Sequence, residues 1–379
     1  MAASSRSSFE GRREVRIKWD LLMHEDAQQF LPFRAGATAP PGWNWSRAQR
    51  LSDTLKARRE QSEFEAEVAG RANALQSAIW LARDVIRKPE WKVLDQCARG
   101  TCNAFAVTAA EELARYRALP DGGMVQLSPE QLYHSMRDIH PRTLIDDLDE
   151  VVLENYETSG TTFLAQALFA LAKTGVCERD YVPYRCEEAV NFSVPGLSDD
   201  ARTNASLRKV RSENFVHNLF RKAEIGGHEV PSDAWRHPIS KPTVSEVFHE
   251  ALRNGFPVVA SFACPEDIFH DTWWSSTAQE SGEVKYPLYV AIDDNKPIGG
   301  HSVCIVGYEP NESDRTEGWF VFRNSLGDEL FAHSYWDDDQ PPRAPAAGYG
   351  YISTKDVDVY CWEYLYRTSD EDIRQSAVA

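Results

Sequence analysis

Along the chain the spacing of hydrophobic positions changes from a helical to a strand-like period. Between residues 61 and 82, Phe64, Val68, Ala72, Leu75 and Ile79 recur at steps of three and four, which predicts an amphipathic helix. Before it, the loop AGATAPPGWNW ends at Ser46, a residue suited to cap a helix through the charged run that follows. Residues 1 to 15, rich in serine and charge, read as flexible, and VRIKWDLLM as a short strand or the start of a helix. Alanine-rich runs from Cys102 and from about Thr162 to Lys173 predict two more helices. TVSEVFHEALRNG predicts another, capped by Thr243 or Ser245 and stopped by Gly255. In the last third, NGFPVVASFAC, IGGHSVCIVGYEP, WFVFRNSLGDEL and GYGYIS are rich in β-branched and aromatic residues and predict strands. Residues 186 to 250 are polar and irregular, with ENFVHNLFRKAEIGGHEV as one strand-like segment.

Chemistry enters at DQCARGTCNAFAVTAAEEL, residues 95 to 113. Cys102 opens a helix there, and the N–H groups and positive dipole end of a helix N-terminus favour a thiolate, the reactive form of cysteine. Gln96, six positions earlier, offers a side-chain amide that can join the Cys102 backbone N–H in holding an oxyanion. Gly100 lets the chain turn into the helix. Taken alone, a cysteine at a helix start is more often inert and buried, so partners decide the matter.

Two partners lie far downstream. His301 heads the run Ser302 to Tyr308 after a Gly-Gly pair, and the strand from Trp319 ends in Asn324-Ser325, with Gly327 to turn the chain. Paired as antiparallel neighbours, these strands bring His301 and Asn324 to one site. A thiolate that attacks a carbonyl, an imidazole that carries the proton and a polar group that orients the ring make one chemical set.

These segments resemble the papain-like cysteine peptidases, and in particular the bacterial-type branch. Gln96, Cys102, His301 and Asn324 fall on that family's oxyanion glutamine, nucleophile, base and orienting asparagine. LSPEQLYH, SGTTFLAQALFALAKTGVCERDYVPY, NGFPVVASFAC and GYGYIS are similar to further family segments, over roughly residues 84 to 352. The resemblance implies an α+β, two-lobed fold, with a helical lobe bearing Cys102 facing an antiparallel β lobe bearing His301 and Asn324. It implies hydrolysis of peptide bonds through a thioester acyl-enzyme, with a peptide ligase, a transpeptidase or a non-catalytic peptide-binding protein as alternatives. Gly160, and Gly300 just before the histidine, are the implied contacts for an extended substrate. Residues 1–82 form an N-terminal extension, by position a pro-segment or a docking module; residues 83–369 form the peptidase domain, and residues 370–379 a flexible tail. Three residues depart from the pattern: Cys97 stands where glycine is usual, while Asn103 and Leu326 stand where tryptophan is usual.

Composition narrows the partners. A net charge of −17 argues against nucleic acid and anionic membranes, leaving a protein or peptide substrate. The charge is +2 over residues 1–82, which leaves −19 for the rest, an asymmetry that a soluble acidic surface also explains. No apolar run of membrane-spanning length and no signal-like leader is present, so a cytoplasmic location is expected, with signal-independent export still open. The seven cysteines are expected to be mostly reduced, with Cys177 and Cys186 the pair considered for a bridge. No metal or other cofactor is expected, because no ligand-spaced Cys or His pair occurs. Trp273 and Trp274 read as aromatics packed under a loop, or as a cleft wall, and Asp337 to Asp339 as a solvated turn.

Overall fold

The strand-rich last third of the chain assembles around one long central strand. In the computed structural model, residues 37–38, 78–81, 83, 85–86, 88–119, 121, 123–145, 150–187, 196–219, 222–225, 228–231, 243–265, 282–284, 298–311, 318–328 and 347–378 are described. All of them belong to one unit, Arg34–Ala379. The strands are β1 (Ala37–Thr38), β2 (Ile79–Trp80), β3 (Phe215–Leu219), β4 (Lys222–Ile225), β5 (His228–Pro231), β6 (Val258–Pro265), β7 (Glu283–Val284), β8 (Ile298–Pro310), β9 (Gly318–Arg323), β10 (Tyr349–Ser353) and β11 (Cys361–Arg367). Nine form a single sheet in the order β3-β11-β6-β8-β9-β10-β7, with β1 and β2 added to β8, while β4 and β5 pair separately. Every pairing is antiparallel except β7 with β10.

The helices are α1 (Cys102–Ala118), α2 (Pro129–Arg137), α3 (Glu150–Ser159), α4 (Leu164–Lys173), α5 (Asp199–Ser206), α6 (Val244–Arg253), α7 (Thr354–Tyr360) and α8 (Glu371–Val378). Helix α1 is buried around most of its circumference, as a central helix must be, and its many alanines allow close approach. Ala104 and Val107 pack with Leu132 and Leu171 on one side and with Val259 and Leu365 of the sheet on the other. Each fully buried Leu or Val there contributes roughly 1.5–3 kcal/mol. Two buried acids fix the helix laterally: Glu111 accepts from Arg367 Nε and Nη2 at 2.6 and 2.7 Å, and Glu112 accepts from Trp91 Nε1 at 2.9 Å and from the Leu127 N–H at 2.8 Å. Burial raises the pKa of Glu112, with Arg323 opposing.

The α+β expectation is met, with helices concentrated before residue 175 and strands after residue 215. The capping prediction also holds. Thr243 accepts from the Glu246 N–H while the Glu246 carboxylate accepts from the Thr243 N–H, and Gly255 lies just past the helix at φ +89°.

Three expectations are corrected. Ile79 lies in β2 opposite Tyr308 rather than on a helix, because the β6 side of β8 is open there and a short extended segment fills it. Residues 370–378 do not form a flexible tail: helix α8 buries Ile373, and Asp372 accepts from Arg367 Nη1 at 2.8 Å. ENFVHNLFRKAEIGGHEV supplies three strands instead of one. The helices predicted between Ser46 and residue 77, Trp273, Trp274 and Asp337 to Asp339 lie outside the described residues.

Candidate active site

Strand pairing along β8 places the histidine. One edge of β8 carries β6; the other carries β9 from Cys304 onward and β1 at Gly299 and Gly300. His301 stands in the interval between β1 and β9. Asn324 is the first residue beyond β9, where the strand leaves β8, and its N–H donates to the Gly348 carbonyl at 3.0 Å. His301 Nε2 lies 2.7 Å from Asn324 Oδ1, and both residues are buried. Burial lowers the His301 pKa to about 4, with the Asn324 hydrogen bond opposing.

Helix α1 carries the thiol at its N-terminus. It packs along β8 and β6, and Cys102 is its first residue, fully buried. Thr101 precedes the helix without capping it through its side chain. Its hydroxyl lies 2.7 Å from Tyr184 Oη, which itself donates to the Gln96 carbonyl at 2.8 Å.

Gln96 is held on three sides. Its N–H donates to the Ser325 carbonyl at 2.7 Å, its Oε1 accepts from Ser325 Oγ at 2.5 Å, and its Nε2 donates to the Arg99 carbonyl at 2.9 Å. Ser325 also donates its own N–H to Asn324 Oδ1 at 2.8 Å, so one residue joins the amide of Gln96 to the amide that holds His301. Cys97, next to Gln96, has φ +54°, the left-handed region that disfavours side chains and that a glycine would occupy without strain.

A bridge and a buried ion pair secure this loop. Cys97 is bonded to Cys186, while Cys102, Cys177, Cys304 and Cys361 are not in a disulfide. The pairing considered for Cys177 is therefore overturned. Cys177 is buried, and burial pushes its thiol up to about 11, whereas Cys97 lies on the loop facing Cys186 with Cα atoms 5.5 Å apart. Arg99, fully buried, meets Glu130 of α2 at 2.5 Å and also donates to the Arg185 carbonyl. Burial raises the Glu130 pKa, but hydrogen bonds and charge from His134 and Arg99 outweigh it and leave the carboxyl below its usual range.

The remaining predicted residues are placed as follows. Gly160 follows α3 with φ +72°, and its carbonyl accepts from Tyr133 Oη at 2.7 Å. Gly300 pairs with Ala37 of β1. Leu326 is buried and bridges to Asp95. Ser325, Tyr184, Arg99 and Glu130 were not singled out from the sequence. A charged Arg99 three residues before Cys102 was the available signal, since such a position needs a partner once buried. Among the described residues no group of His, Cys, Asp and Glu is placed to hold a metal ion, and no helix is long and apolar enough to cross a membrane.

A cysteine at a helix N-terminus, a histidine on a central strand and an asparagine at the end of the next strand are the parts found in papain-like cysteine peptidases, the class that the sequence resembles. Known proteins of that kind are similar to the chain. An uncharacterized peptidase C1-like protein of Acanthamoeba polyphaga mimivirus is 24% identical over 249 residues, 64% of this chain and 63% of that protein, so the chain spans under two thirds of that relative's length. Xylellain, a cysteine protease from Xylella fastidiosa, is 15% identical, with 89% of this chain and 97% of that one covered at a TM-score of 0.47. Digestive procathepsin L 3 of Tenebrio molitor larval midgut is 13% identical, with 78% and 70% covered at a TM-score of 0.45. No protein-family profile matches the chain.

Proposed function

We propose that this chain is a cysteine endopeptidase that cuts peptide bonds through a thioester acyl-enzyme. The observation that carries the reading is the 2.7 Å contact between His301 Nε2 and Asn324 Oδ1 beside a helix that begins at Cys102. With Nε2 committed to asparagine, Nδ1 is the nitrogen that exchanges a proton with the thiol. The Cys102 sulfur attacks the carbonyl carbon, and the thiol proton passes to His301 Nδ1. The oxyanion is held by the Cys102 N–H and by the Gln96 side-chain amide. His301 then protonates the departing amine, and water activated by the same ring releases the acyl group.

The pairing of β1 with Gly299 and Gly300 supports two further parts of this reading. An extended segment already adds a strand at Gly300, as a substrate would, which favours Gly300 as a substrate contact. That segment belongs to residues 1–82, which favours a covering role for them, in keeping with the full burial of Cys102 and His301. Gly160 is assigned by resemblance to present backbone groups to an extended substrate. A protein or peptide is the partner in this reading, and the location is cytoplasmic.

The test is adduct mapping with an epoxide inhibitor of thiol proteases on the full chain and on Cys102→Ala. Labelling of Cys102 that vanishes in the variant supports the reading. If the full chain stays unlabelled, the same experiment on a chain beginning near Arg83 separates a covered site from an inert one. Product analysis with an added amine distinguishes hydrolysis from ligation.

A further inference from the structure

Directly behind the four site residues lies a buried polar cluster that the peptidase chemistry does not use. Asn103, the residue after the thiol, donates from Nδ2 to the Thr162 carbonyl at 2.7 Å and to Thr162 Oγ1 at 3.2 Å. Its Oδ1 accepts from Ser302 Oγ at 2.5 Å, and Ser261 Oγ lies 3.4 Å from the same oxygen. The two serine hydroxyls are 2.7 Å apart, and the residues face each other in register across β6 and β8. Asn103, Thr162, Ser261 and Ser302 have no solvent exposure.

Donor and acceptor rules give this cluster a direction. The Thr162 carbonyl only accepts, so Nδ2 faces it and Oδ1 faces the serines. Ser302 spends its one proton on Asn103, so the proton between the serines belongs to Ser261. The chain of donation runs from Ser261 to Ser302 to Asn103 to Thr162. Apolar side chains would hold helix to sheet without directional preference; a satisfied polar chain sets the register.

The register it sets is that of the site. Asn103 follows Cys102 and Ser302 follows His301, so one hydrogen bond joins the backbone of the nucleophile to the backbone of the base, one residue along on each side. Successive side chains of a strand point to opposite faces, so Ser302 anchors β8 from the face opposite the imidazole. We propose that the Asn103–Ser302 hydrogen bond is a positioning clamp that sets the spacing of the Cys102 thiol and the His301 ring. The clamp rests on the cysteine peptidase reading, touches no substrate and acts only through the two residues it adjoins.

The experiment uses the full chain and follows the rate of Cys102 alkylation by iodoacetamide across a pH series, with adducts assigned by peptide mapping and thermal unfolding recorded in parallel. Ser302→Ala is expected to slow Cys102 alkylation at neutral pH by on the order of tenfold, a modest share of what about 1 Å of misplacement costs. Its acid limb is expected to move, and Ser302→Thr to recover most of the rate. Ser302→Thr and Ser302→Val, equal in volume, isolate the hydroxyl should the alanine variant fail to fold. Ser261→Ala leaves the Ser302–Asn103 bond in place and is expected to lower the unfolding midpoint without moving the profile. Ser302 variants that lose stability but keep the wild-type profile overturn the clamp alone. Where Cys102 is alkylated in both, a wild-type profile identical to that of His301→Ala shows that no thiol–imidazole pair exists, and removes the peptidase reading with it.

Discussion

The backbone N–H of Ser325 donates to Asn324 Oδ1 at 2.8 Å, and this bond decides the proton position on His301. A backbone N–H cannot accept, so the atom it faces is the amide oxygen, and the asparagine is not reversed. The same oxygen faces His301 Nε2 at 2.7 Å, so Nε2 carries the proton and Nδ1 is the basic nitrogen. Asn324→Ala is therefore expected to leave the chain folded while lowering kcat by roughly 10-fold to 100-fold, as loss of an orienting partner does. Asn324→Asp, which still accepts, is expected to lose less. Equal losses in steady-state turnover of a peptide substrate would remove orientation as the role of Asn324.

Ser325 also donates its hydroxyl to Gln96 Oε1 at 2.5 Å, which turns the Gln96 Nε2 away from Ser325 and toward the nucleophile loop. Ser325→Ala frees that amide to rotate. Its expected signature is a fall in kcat on the order of 10-fold with KM little changed, because an oxyanion donor acts mainly in the transition state. A change confined to KM would place Gln96 in ground-state binding instead.

Burial lowers the His301 ring to about 4, against about 6.5 for an unperturbed histidine. Between those values the unfolded chain binds more protons than the folded one, so stability rises with pH across the window. The contribution of this ring is complete above about 6.5 and declines as pH falls toward about 4, by roughly 3 kcal/mol at most. Unfolding midpoints of the wild type should drop through this window more steeply than those of His301→Gln. Parallel curves would assign the acid sensitivity to other groups.

Much of this arrangement is legible in the residue pattern, and what is not has definite physical reasons. Helix α1, the Thr243 cap and the strands carrying His301 and Asn324 follow from local periodicity and capping chemistry, which act over a few residues. Cys97 in a glycine position is visible as an oddity, but its bond to Cys186 spans 89 residues and depends on the path of the intervening chain. Ser325 looks like a turn residue until β8 and β9 pair and bring Gln96 beside it. Residues 370–379 look like a tail because their polar composition hides Ile373, whose burial rests on packing from distant parts of the chain.

Arg99 and Glu130 form a fully buried ion pair under the loop that leads to Cys102, and removing Arg99 leaves Glu130 with only His134 and the more exposed Arg185. Arg99→Met is expected to cost about 3–5 kcal/mol, whereas Arg99→Met with Glu130→Met is expected to recover part of that loss. Chemical denaturation of the two single variants and the double gives the coupling directly. Additive losses would show that the pair does not act as a unit.

The Cys97–Cys186 bond closes a loop of 89 residues and holds Cys97 at φ +54° beside Gln96, the proposed oxyanion donor. Chain entropy alone assigns such a bridge roughly 4–5 kcal/mol, and its partner segment also carries Tyr184, which donates to the Gln96 carbonyl at 2.8 Å. Cys97→Gly with Cys186→Ser separates the two effects. Glycine relieves the left-handed backbone at position 97 while the entropy of the loop is restored, so a lower unfolding midpoint with near-normal turnover is expected. Cys97→Ser with Cys186→Ser keeps a side chain at that φ without the bond, and should lose turnover as well as stability. Equal turnover in the two double variants would mean that the bridge stabilises the chain without shaping the oxyanion site.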